Sequence, residues 1–242
     1  MKVGLQLFSI QDVRDGEGMA SALRLAKELG YEGVEFAGTP ELLGKEDEVL
    51  SEMQALGLEC AGFHISANEV AADVEGWIKT AKRFGAYSFC IPMQFFRSAE
   101  QWIAFAHELN EMGKHFRAEG IRFGYHNHLP EFEVKDGIHL MDALLENTEA
   151  ENVYFELDPR HAYLAGTVPH IYAKRYADRI SFIHARDTNE IEDVAVGSGK
   201  VDFEAIVAAV GMPDWFIVEN GSHGKNRELL RESAEYLKRT FR

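Results

Sequence analysis

Three residues able to bind a metal ion stand at the ends of apolar segments in the second half of the chain. Asp158 ends the segment YFELD, His184 ends ISFIH, and Glu219 lies near the end of WFIVEN. Imidazole nitrogens and carboxylate oxygens together suit Mn²⁺, Co²⁺, Mg²⁺ or Zn²⁺, and the mixture alone does not select one of them. No cysteine stands at these positions, which argues against a structural zinc site.

Further ionisable residues follow or end apolar segments in the same way. They are Glu35, His64, His126, His128, Glu156, His161, Arg186 and Asp187. Each has an ordinary structural explanation when it is taken alone. An isolated histidine such as His64 is usually a hydrogen-bonded core residue, and Asp158 could cap the turn that starts at Pro159. Charged groups are rarely buried without a partner or a metal, so the cluster as a whole predicts a metal site.

The segments that must position these residues alternate regularly. Short apolar runs predict strands, and several are hydrophobic without interruption, as is typical of a parallel sheet covered on both faces. The predicted strands are Val3–Leu7, Gly33–Phe36, Cys60–His64, Tyr87–Ile91, Arg122–His128, Tyr154–Asp158, Ile180–His184 and Trp215–Asn220. Amphipathic patterns predict helices at Met19–Leu29, Val70–Phe84, Ala99–Ala118, Met141–Leu145 and Phe203–Val210. Glycines that precede the next strand, such as Gly57 and Gly85, are typical of helix ends in αβ loops.

About eight β–α units predict a closed α/β barrel, the single-domain (β/α)8 or TIM barrel, over residues 1–242. An open doubly wound sheet is the structural alternative. The chain has 46% hydrophobic residues, enough for one core, and no Pro/Gly/Ser-rich linker divides it. In such a barrel the chemistry lies at the carboxyl ends of the strands, which is where the ionisable residues stand.

The composition argues against several classes of partner. The chain has 40 acidic and 25 basic residues and a net charge of −15, so we expect neither nucleic acid nor a membrane as a partner. The two cysteines, Cys60 and Cys90, lie in apolar runs, which predicts buried, reduced thiols. Neither a signal peptide nor an apolar span of about 18 residues is evident, so the expected location is the cytoplasm.

Gly197-Ser198-Gly199 resembles part of a phosphate-binding loop. However, no predicted strand precedes it and no Lys-Ser or Lys-Thr pair follows it. We therefore expect a flexible loop after the seventh strand.

Six segments carry a resemblance to a known superfamily. They are GYEGVEF (Gly30–Phe36), GYHNHLPEF (Gly124–Phe132), ELDPRHAYLAG (Glu156–Gly166), RISFIHARD (Arg179–Asp187), VGSGKVDF (Val196–Phe203) and FIVEN (Phe216–Asn220). With these segments the chain resembles, over essentially its whole length, the xylose-isomerase-like barrels, which are grouped as sugar phosphate isomerases/epimerases. The segment YHNH (Tyr125–His128) is similar to the corresponding segment in a branch of this superfamily that has inosose-dehydratase-like and uncharacterised sugar-isomerase-like members.

The resemblance implies a set of metal ligands. In the ketose 3-epimerases of this superfamily, strands five to eight supply Glu, Asp, His and Glu to the metal. Asp158, His184 and Glu219 match the last three positions, and His126 matches the first. The resemblance thus implies a divalent metal with His126 as the fourth ligand and His128 as its substitute. In those epimerases the first and last glutamates act on opposite faces of the sugar carbon, and a histidine at the first position changes that division of labour.

The superfamily also includes endonuclease IV-like DNA repair enzymes with a multi-zinc cluster. His64 and His161 match two of their additional ligands. Strand four offers Gln94 in place of a histidine, the strand-seven loop lacks a further Asp-x-His pair, and the chain is strongly acidic. We therefore do not expect DNA repair.

The resemblance further implies an isomerase or epimerase of carbohydrate metabolism that moves a proton on a carbon next to a carbonyl. That carbon is a weak acid, so the developing enediolate needs a Lewis acid to stabilise it. Glu219 is the expected base, because it can bind the metal and still present a free oxygen. Glu156, His161 and His128 are the candidates for the second acid or base. The residues expected to hold substrate hydroxyls are Glu35, His64, His128, Glu131 and Arg186.

Two other functions compete with this one. A lyase of the inosose or dehydroshikimate dehydratase type would begin with the same proton abstraction and then lose water. A non-enzymatic sugar-binding barrel is less favoured, because binding alone requires no metal shell at four strand ends. In each case the expected partner is a small sugar or keto-sugar, and the resemblance implies a homodimer or homotetramer.

Overall fold

Eight parallel strands close into a barrel, as the alternation of segments predicts. The computed structural model describes residues 1–38, 42, 44–221 and 227–242. The barrel strands are β1 (Lys2–Gln6), β2 (Gly33–Ala37), β3 (Glu59–His64), β4 (Ser88–Ile91), β5 (Arg122–His126), β6 (Tyr154–Leu157), β7 (Phe182–Ala185) and β8 (Trp215–Val218). Each strand pairs with the next along the chain, and β8 closes the ring against β1. The TIM barrel is confirmed, and the open-sheet alternative is wrong.

Helices surround the barrel and two small hairpins extend its carboxyl-end loops. The α-helices of the described residues are α1 (Gln11–Glu17), α2 (Met19–Glu28), α3 (Glu46–Leu56), α4 (Ala67–Ala72), α5 (Val74–Phe84), α6 (Ala99–Ala118), α7 (Leu140–Glu146), α8 (Pro159–Leu164), α9 (Pro169–Arg175), α10 (Phe203–Val210) and α11 (Arg227–Phe241). Short 3-10 turns occur at Leu7–Ile10, Pro130–Phe132 and Ala177–Arg179. The hairpins pair Val134–Lys135 with Ile138–His139, and Asp187–Thr188 with Asp193–Val194.

Successive residues of a strand point alternately into the barrel and out toward the helices, so the protein has two hydrophobic cores. In β8, Phe216 and Val218 pack outward with the helices, whereas Trp215 and Ile217 join a smaller buried cluster inside the barrel. The register places Ile217 beside His184 of the neighbouring strand. Inward positions are thus apolar in the lower half of the barrel and ionisable at the carboxyl end. This division places the site above a packed floor.

One predicted helix is interrupted. Val70–Phe84 was expected to be continuous, but α4 ends at Ala72 and α5 begins at Val74. The Asp73 side chain accepts a hydrogen bond from the Gly76 N–H at 2.9 Å and caps α5. An aspartate competes with helix continuation because its short side chain bonds the backbone directly. Periodicity alone does not reveal such a break.

The fifth strand is shorter than predicted. It ends at His126, and the expected extension to His128 is wrong. Asn127 instead exchanges two hydrogen bonds with the backbone of Asp158, at 2.9 and 3.0 Å, and leaves the sheet direction. His128 therefore lies in the following loop, and strand parity does not determine where its ring points.

The loop at Gly197–Gly199 is ordered by a carboxylate of the chain itself. Oδ2 of Asp187 accepts the N–H groups of Gly197 and Gly199 at 3.0 and 2.9 Å. Its Oδ1 accepts those of Thr188 and Val201 at 2.8 and 3.0 Å. A Cβ at Gly199 would lie 2.2 Å from Asp187 Oδ1, so the close approach requires glycine. Like a phosphate-binding loop, this loop directs backbone N–H groups at an anion, but here the anion is the carboxylate of Asp187 in the same chain. The expectation of a flexible loop is wrong.

Removing this carboxylate should destabilise the fold. Asp187→Ala leaves several buried backbone donors without an acceptor, so we expect a loss of about 3 kcal/mol in the free energy of unfolding. Asp187→Asn, which keeps one acceptor oxygen, should lose less. Guanidinium unfolding of both variants measures the difference, and an unchanged midpoint for Asp187→Ala would contradict this account.

Cys60 and Cys90 are both free and buried, as their place in apolar runs predicts for their burial. Within the described residues, no helix is both long and apolar enough to cross a bilayer.

Candidate metal centre

Four residues converge at the carboxyl ends of β5 to β8. His126 ends β5, Asp158 follows β6, His184 lies in β7, and Glu219 follows β8. One ligand atom from each lies within 4.8 Å of those from the other three, and all four residues are buried. The structure therefore brings together the four residues that the sequence analysis selected as metal ligands.

The carboxylate of Asp158 is held in place by its surroundings. Asn127 fixes its backbone through the two hydrogen bonds described above. Oδ1 accepts the His161 N–H at 3.1 Å and caps α8, as the structural explanation of this residue predicts. Oδ2 is buried and has no hydrogen-bond partner, and burial raises the pKa of Asp158 to about 6. Capping thus uses one oxygen and leaves the other available to a ligand.

His184 lies between two carboxylates. Its Nδ1 is 3.0 Å from Oε2 of Glu219, and its Nε2 is 2.7 Å from Oε2 of Glu35. Burial lowers the pKa of His184, but Glu156 and Glu35 outweigh burial and raise that pKa well above its usual value.

Glu219 is paired on both of its oxygens. Arg186 Nη1 donates to Oε1 at 3.0 Å, opposite the contact with His184. Burial favours the neutral acid, yet Arg186 and His184 hold the pKa of Glu219 well below its usual range. Glu219 is therefore a carboxylate at neutral pH.

A second group of ionisable residues lies beneath the first. Glu35 and Glu156 are fully buried, and His64 Nε2 lies 3.2 Å from one carboxylate and 2.6 Å from the other. Gln6 Nε2 donates to Glu35 Oε2 at 2.7 Å. Burial and the neighbouring Glu156 carboxylate raise the pKa of Glu35. Together with His126 and His184, His64 and Glu156 form another possible four-ligand grouping.

Two further histidines border the cluster. The His128 ring lies 4.8 Å from that of His126 and 4.9 Å from that of His161. Burial and the nearby His161 lower the pKa of His128 to about 4, whereas burial and Arg186 lower that of His161 to about 3. Both rings are therefore neutral at pH 7. Arg186 Nη1 approaches His161 Nε2 at 3.4 Å, while its Nε donates to Asp193 at 2.9 Å.

Both oxygens of Glu131 are occupied by the protein. Oε1 accepts the Tyr125 hydroxyl at 2.7 Å, and Oε2 accepts the His128 N–H at 3.2 Å. Glu131 is buried, with 1% of its surface exposed. This geometry places it behind the loop that carries His128, where it orders that loop.

A cavity of about 400 Å³ opens over the cluster, and its wall includes His64, His126, His128 and Glu219. Glu35 and Glu156 are not among its lining residues. A larger surface groove, of about 530 Å³ around Tyr163 and Lys200, contains none of the cluster. The cavity over the cluster is the one in which a substrate could meet these side chains.

Other polar residues that line this cavity were not among the predicted site residues. Gln11 and Arg14 of α1, and Ser66 and Glu69 at the start of α4, line it. A signal was present, because both segments directly follow a barrel strand and must lie at its carboxyl end. Gln6 carried the same signal, as a polar residue that ends the first apolar run.

The donor set fits a divalent cation. It combines nitrogen and oxygen atoms in a buried position where Asp158 Oδ2 has no hydrogen-bond partner. Buried polar atoms are nearly always satisfied, so an unpaired one at a cluster of possible ligands indicates a bound ion.

The fold and this donor set agree with a comparison of the sequence with known families. The sequence profile of the xylose isomerase-like TIM barrels matches residues 23–240. The chain belongs to this family.

Curated relatives of the chain are sugar-modifying enzymes. An inosose dehydratase from Salmonella typhimurium is 26% identical over 225 residues, which cover 81% of this chain and 71% of that protein. The chain spans about half the length of other relatives that it matches, for example 47% of the inosose dehydratase of Clostridium tetani.

Solved structures share the whole architecture. A sugar phosphate isomerase/epimerase from Parabacteroides distasonis is 25% identical, with a TM-score of 0.81 over 100% of this chain and 99% of that one. The IolI protein, whose crystal structure contains a zinc atom, is 15% identical, with a TM-score of 0.71 over 98% of this chain and 96% of that one. At 15% identity the likeness to IolI shows the fold alone.

Proposed function

We propose that the chain is a divalent-metal-dependent isomerase or epimerase that acts on a sugar or keto-sugar next to its carbonyl group. The observation that carries this proposal is the buried quartet His126, Asp158, His184 and Glu219, with one Asp158 oxygen unpartnered, beside a cavity that His126 and Glu219 line. The structural similarity of the chain to a sugar phosphate isomerase/epimerase supports a sugar as the substrate.

These four residues would hold the metal. When bound, a divalent ion supplies Lewis-acid polarisation of the substrate carbonyl and its adjacent hydroxyl. Two-Glu epimerases have a carboxylate at the position of His126. With a neutral histidine there, the net charge of this site is one unit more positive than in those enzymes. The zinc in the IolI structure supports a divalent ion, and several metals remain compatible with this donor set.

Glu219 is the proposed base. It lines the cavity, and Arg186 keeps it ionised. Neither oxygen is free as expected, because Arg186 donates to Oε1 and His184 Nδ1 contacts Oε2, so a remaining lone pair must accept the proton from the substrate carbon. The same pairing weakens it as a base, and substrate polarisation must compensate by making the carbon more acidic. His161 and His128 are neutral and border the cavity side of the cluster, where either can exchange the second proton. Glu156 is fully buried, does not line the cavity and is hydrogen-bonded to His64, so we propose these two histidines rather than Glu156 for this step.

The residues expected to bind substrate hydroxyls differ in whether they lie at the cavity or are enclosed by the protein. His64, His128 and Arg186 lie at or beside the cavity and remain candidates to bind hydroxyls. Glu35 and Glu131 are enclosed and engaged by other protein groups, so we propose that both act by supporting their neighbours.

A dehydratase is the second candidate, and the relationship to inosose dehydratases favours it. Both reactions start with proton removal from the same carbon, and they differ in whether the proton returns or a β-hydroxyl leaves.

One experiment separates these candidates. The protein is incubated in heavy water with ketoses, inososes and 3-keto-glycosides in the presence of Mn²⁺, Co²⁺ or Mg²⁺, and products are followed by NMR. Deuterium at the carbon with retention of oxygen supports the isomerase or epimerase. Loss of water supports the dehydratase. Binding without exchange under every metal, by a protein that holds none, would leave a sugar-binding barrel and contradict the proposal.

The fourth ligand can be tested by three variants. We expect His126→Glu to retain metal, because a carboxylate serves at that position in related enzymes, and His126→Ala to weaken metal binding. His128→Ala should keep its metal and mainly lower turnover, because the His128 ring lies on the cavity side. Metal content and rate are measured for each. A His128→Ala protein that loses its metal while His126→Ala keeps it reverses the assignment.

The expectation of a dimer or tetramer stays a prediction. Sedimentation at micromolar concentration measures it directly. A single species of 27.3 kDa would refute it.

A further inference from the structure

We propose that Glu35 and Glu156, joined by His64, form a carboxylate layer beneath the metal centre that fixes the ring orientation and tautomer of its two histidine ligands. This inference rests on the proposed function, since it assumes that His126 and His184 bind a metal. It assigns to Glu35 and Glu156 a positioning role in place of contact with the substrate.

The first contact concerns His184. Oε2 of Glu35 lies 2.7 Å from His184 Nε2 and receives a second hydrogen bond from Gln6 Nε2, also at 2.7 Å. A carboxylate accepts and does not donate, so His184 Nε2 must carry a proton. With Nε2 engaged by Glu35, Nδ1 is the nitrogen that remains for a metal ion.

Nδ1 of His184 faces the carboxylate of Glu219. His184 Nδ1 lies 3.0 Å from Oε2 of Glu219, and Arg186 already occupies the other Glu219 oxygen. A proton on Nδ1 joins these two atoms in a hydrogen bond, and a metal ion that binds both would take the place of that proton. The hydrogen bond to Glu35 thus leaves both atoms to serve as ligands for one ion.

The second contact concerns His126. Its Nδ1 is buried and lacks a hydrogen-bond partner, and it lies 3.6 Å from Oε2 of Glu156. The same Glu156 oxygen lies 2.6 Å from His64 Nε2, which also approaches Glu35 at 3.2 Å. With Nδ1 on the side of Glu156, Nε2 on the other edge of the ring is the nitrogen left for the metal. Each histidine ligand thus has one carboxylate on its far side.

The strands leave room for this layer. Gly62 of β3 is the register partner of Glu35, and a Cβ there would approach Glu35 Oε1 to 3.1 Å and Ser88 Oγ to 2.3 Å. Glu35 and Glu156 are completely buried, and each belongs to a barrel strand rather than to a loop. Groups on rigid strands hold a ligand more accurately than groups on loops do.

The test compares Glu35→Gln with Glu59→Gln, the same change at an exposed site on β3. Affinity for Co²⁺ is measured by competition with a chelating dye, together with the visible spectrum of the Co²⁺-loaded protein. We expect one metal per wild-type chain, and about 10- to 100-fold weaker binding with an altered Co²⁺ spectrum in Glu35→Gln. Glu59→Gln should match the wild type in both respects. Glu156→Gln is measured in the same way and should also weaken binding, which keeps the test open if Glu35→Gln does not fold.

Each contrary outcome has a distinct meaning. If the wild type binds one metal and both Gln variants bind it equally well with an unchanged spectrum, the layer has no positioning role and the proposed function stands. If the wild type binds two metals, Glu156 and His64 are ligands of the second ion and the positioning proposal is overturned. If the wild type takes up no metal, the proposed function and this inference fail together.

Discussion

Asp158→Asn is expected to remove most of the bound metal and to lower kcat/KM by about 10³-fold or more, because Lewis-acid stabilisation is worth several kcal/mol. The variant loses the charge of the one ligand oxygen that is buried without a partner. It should still fold, since asparagine also caps helices and can accept the His161 N–H that now bonds Asp158 Oδ1. Metal content after gel filtration and steady-state kinetics check the two parts separately.

Asp202→Asn is the matched control for this variant. Asp202 caps α10 through a 2.8 Å hydrogen bond from the Ala205 N–H and is exposed. It therefore reports the cost of an Asp-to-Asn change at a helix cap away from the cluster, and it should keep full metal and activity. An Asp158→Asn protein that retained stoichiometric metal would place the site elsewhere.

Glu219→Gln is expected to lower kcat by about 10²- to 10⁴-fold, the usual contribution of a general base. The amide oxygen can still approach the metal, so we expect partial metal retention, in contrast to Asp158→Asn. The decisive measurement is the exchange of the substrate carbon-bound hydrogen with heavy water, which should fall with kcat. Glu133→Gln, an exposed change on the loop after β5, serves as the control.

The interpretation of Glu219 as the base depends on that exchange rate. If exchange in Glu219→Gln stays at the wild-type rate while product formation falls, Glu219 acts after proton removal. One of the neutral histidines, His128 or His161, would then be the base.

Much of the candidate site could be predicted from the sequence because its residues stand at the ends of strands. Asp158, His184 and Glu219 each stand at the end of an apolar run, and parallel strands in a barrel bring such ends to one face. The number of β–α units and the glycine helix ends at Gly57 and Gly85, both left-handed, are local properties that the chain carries in its own pattern.

Local side-chain hydrogen bonds limited how accurately the ends of helices and strands could be predicted. Asp73 divides a predicted helix because its side chain bonds the Gly76 N–H, and Asn127 ends β5 by bonding to Asp158. Both events depend on side-chain hydrogen bonds that outweigh the hydrophobic pattern around them. The Asp187 carboxylate likewise orders the Gly197–Gly199 loop from a distance in sequence.

The sequence by itself determined the barrel, the face that carries the chemistry and the residue types at that face. It could not determine the depth of each side chain, because depth depends on how eight strands tilt and stagger around the axis. Glu35 and His64 have the same signal in the sequence, yet His64 lines the cavity while Glu35 is enclosed beneath it. Only the tertiary structure decided which ionisable groups line the cavity and which are enclosed by the protein.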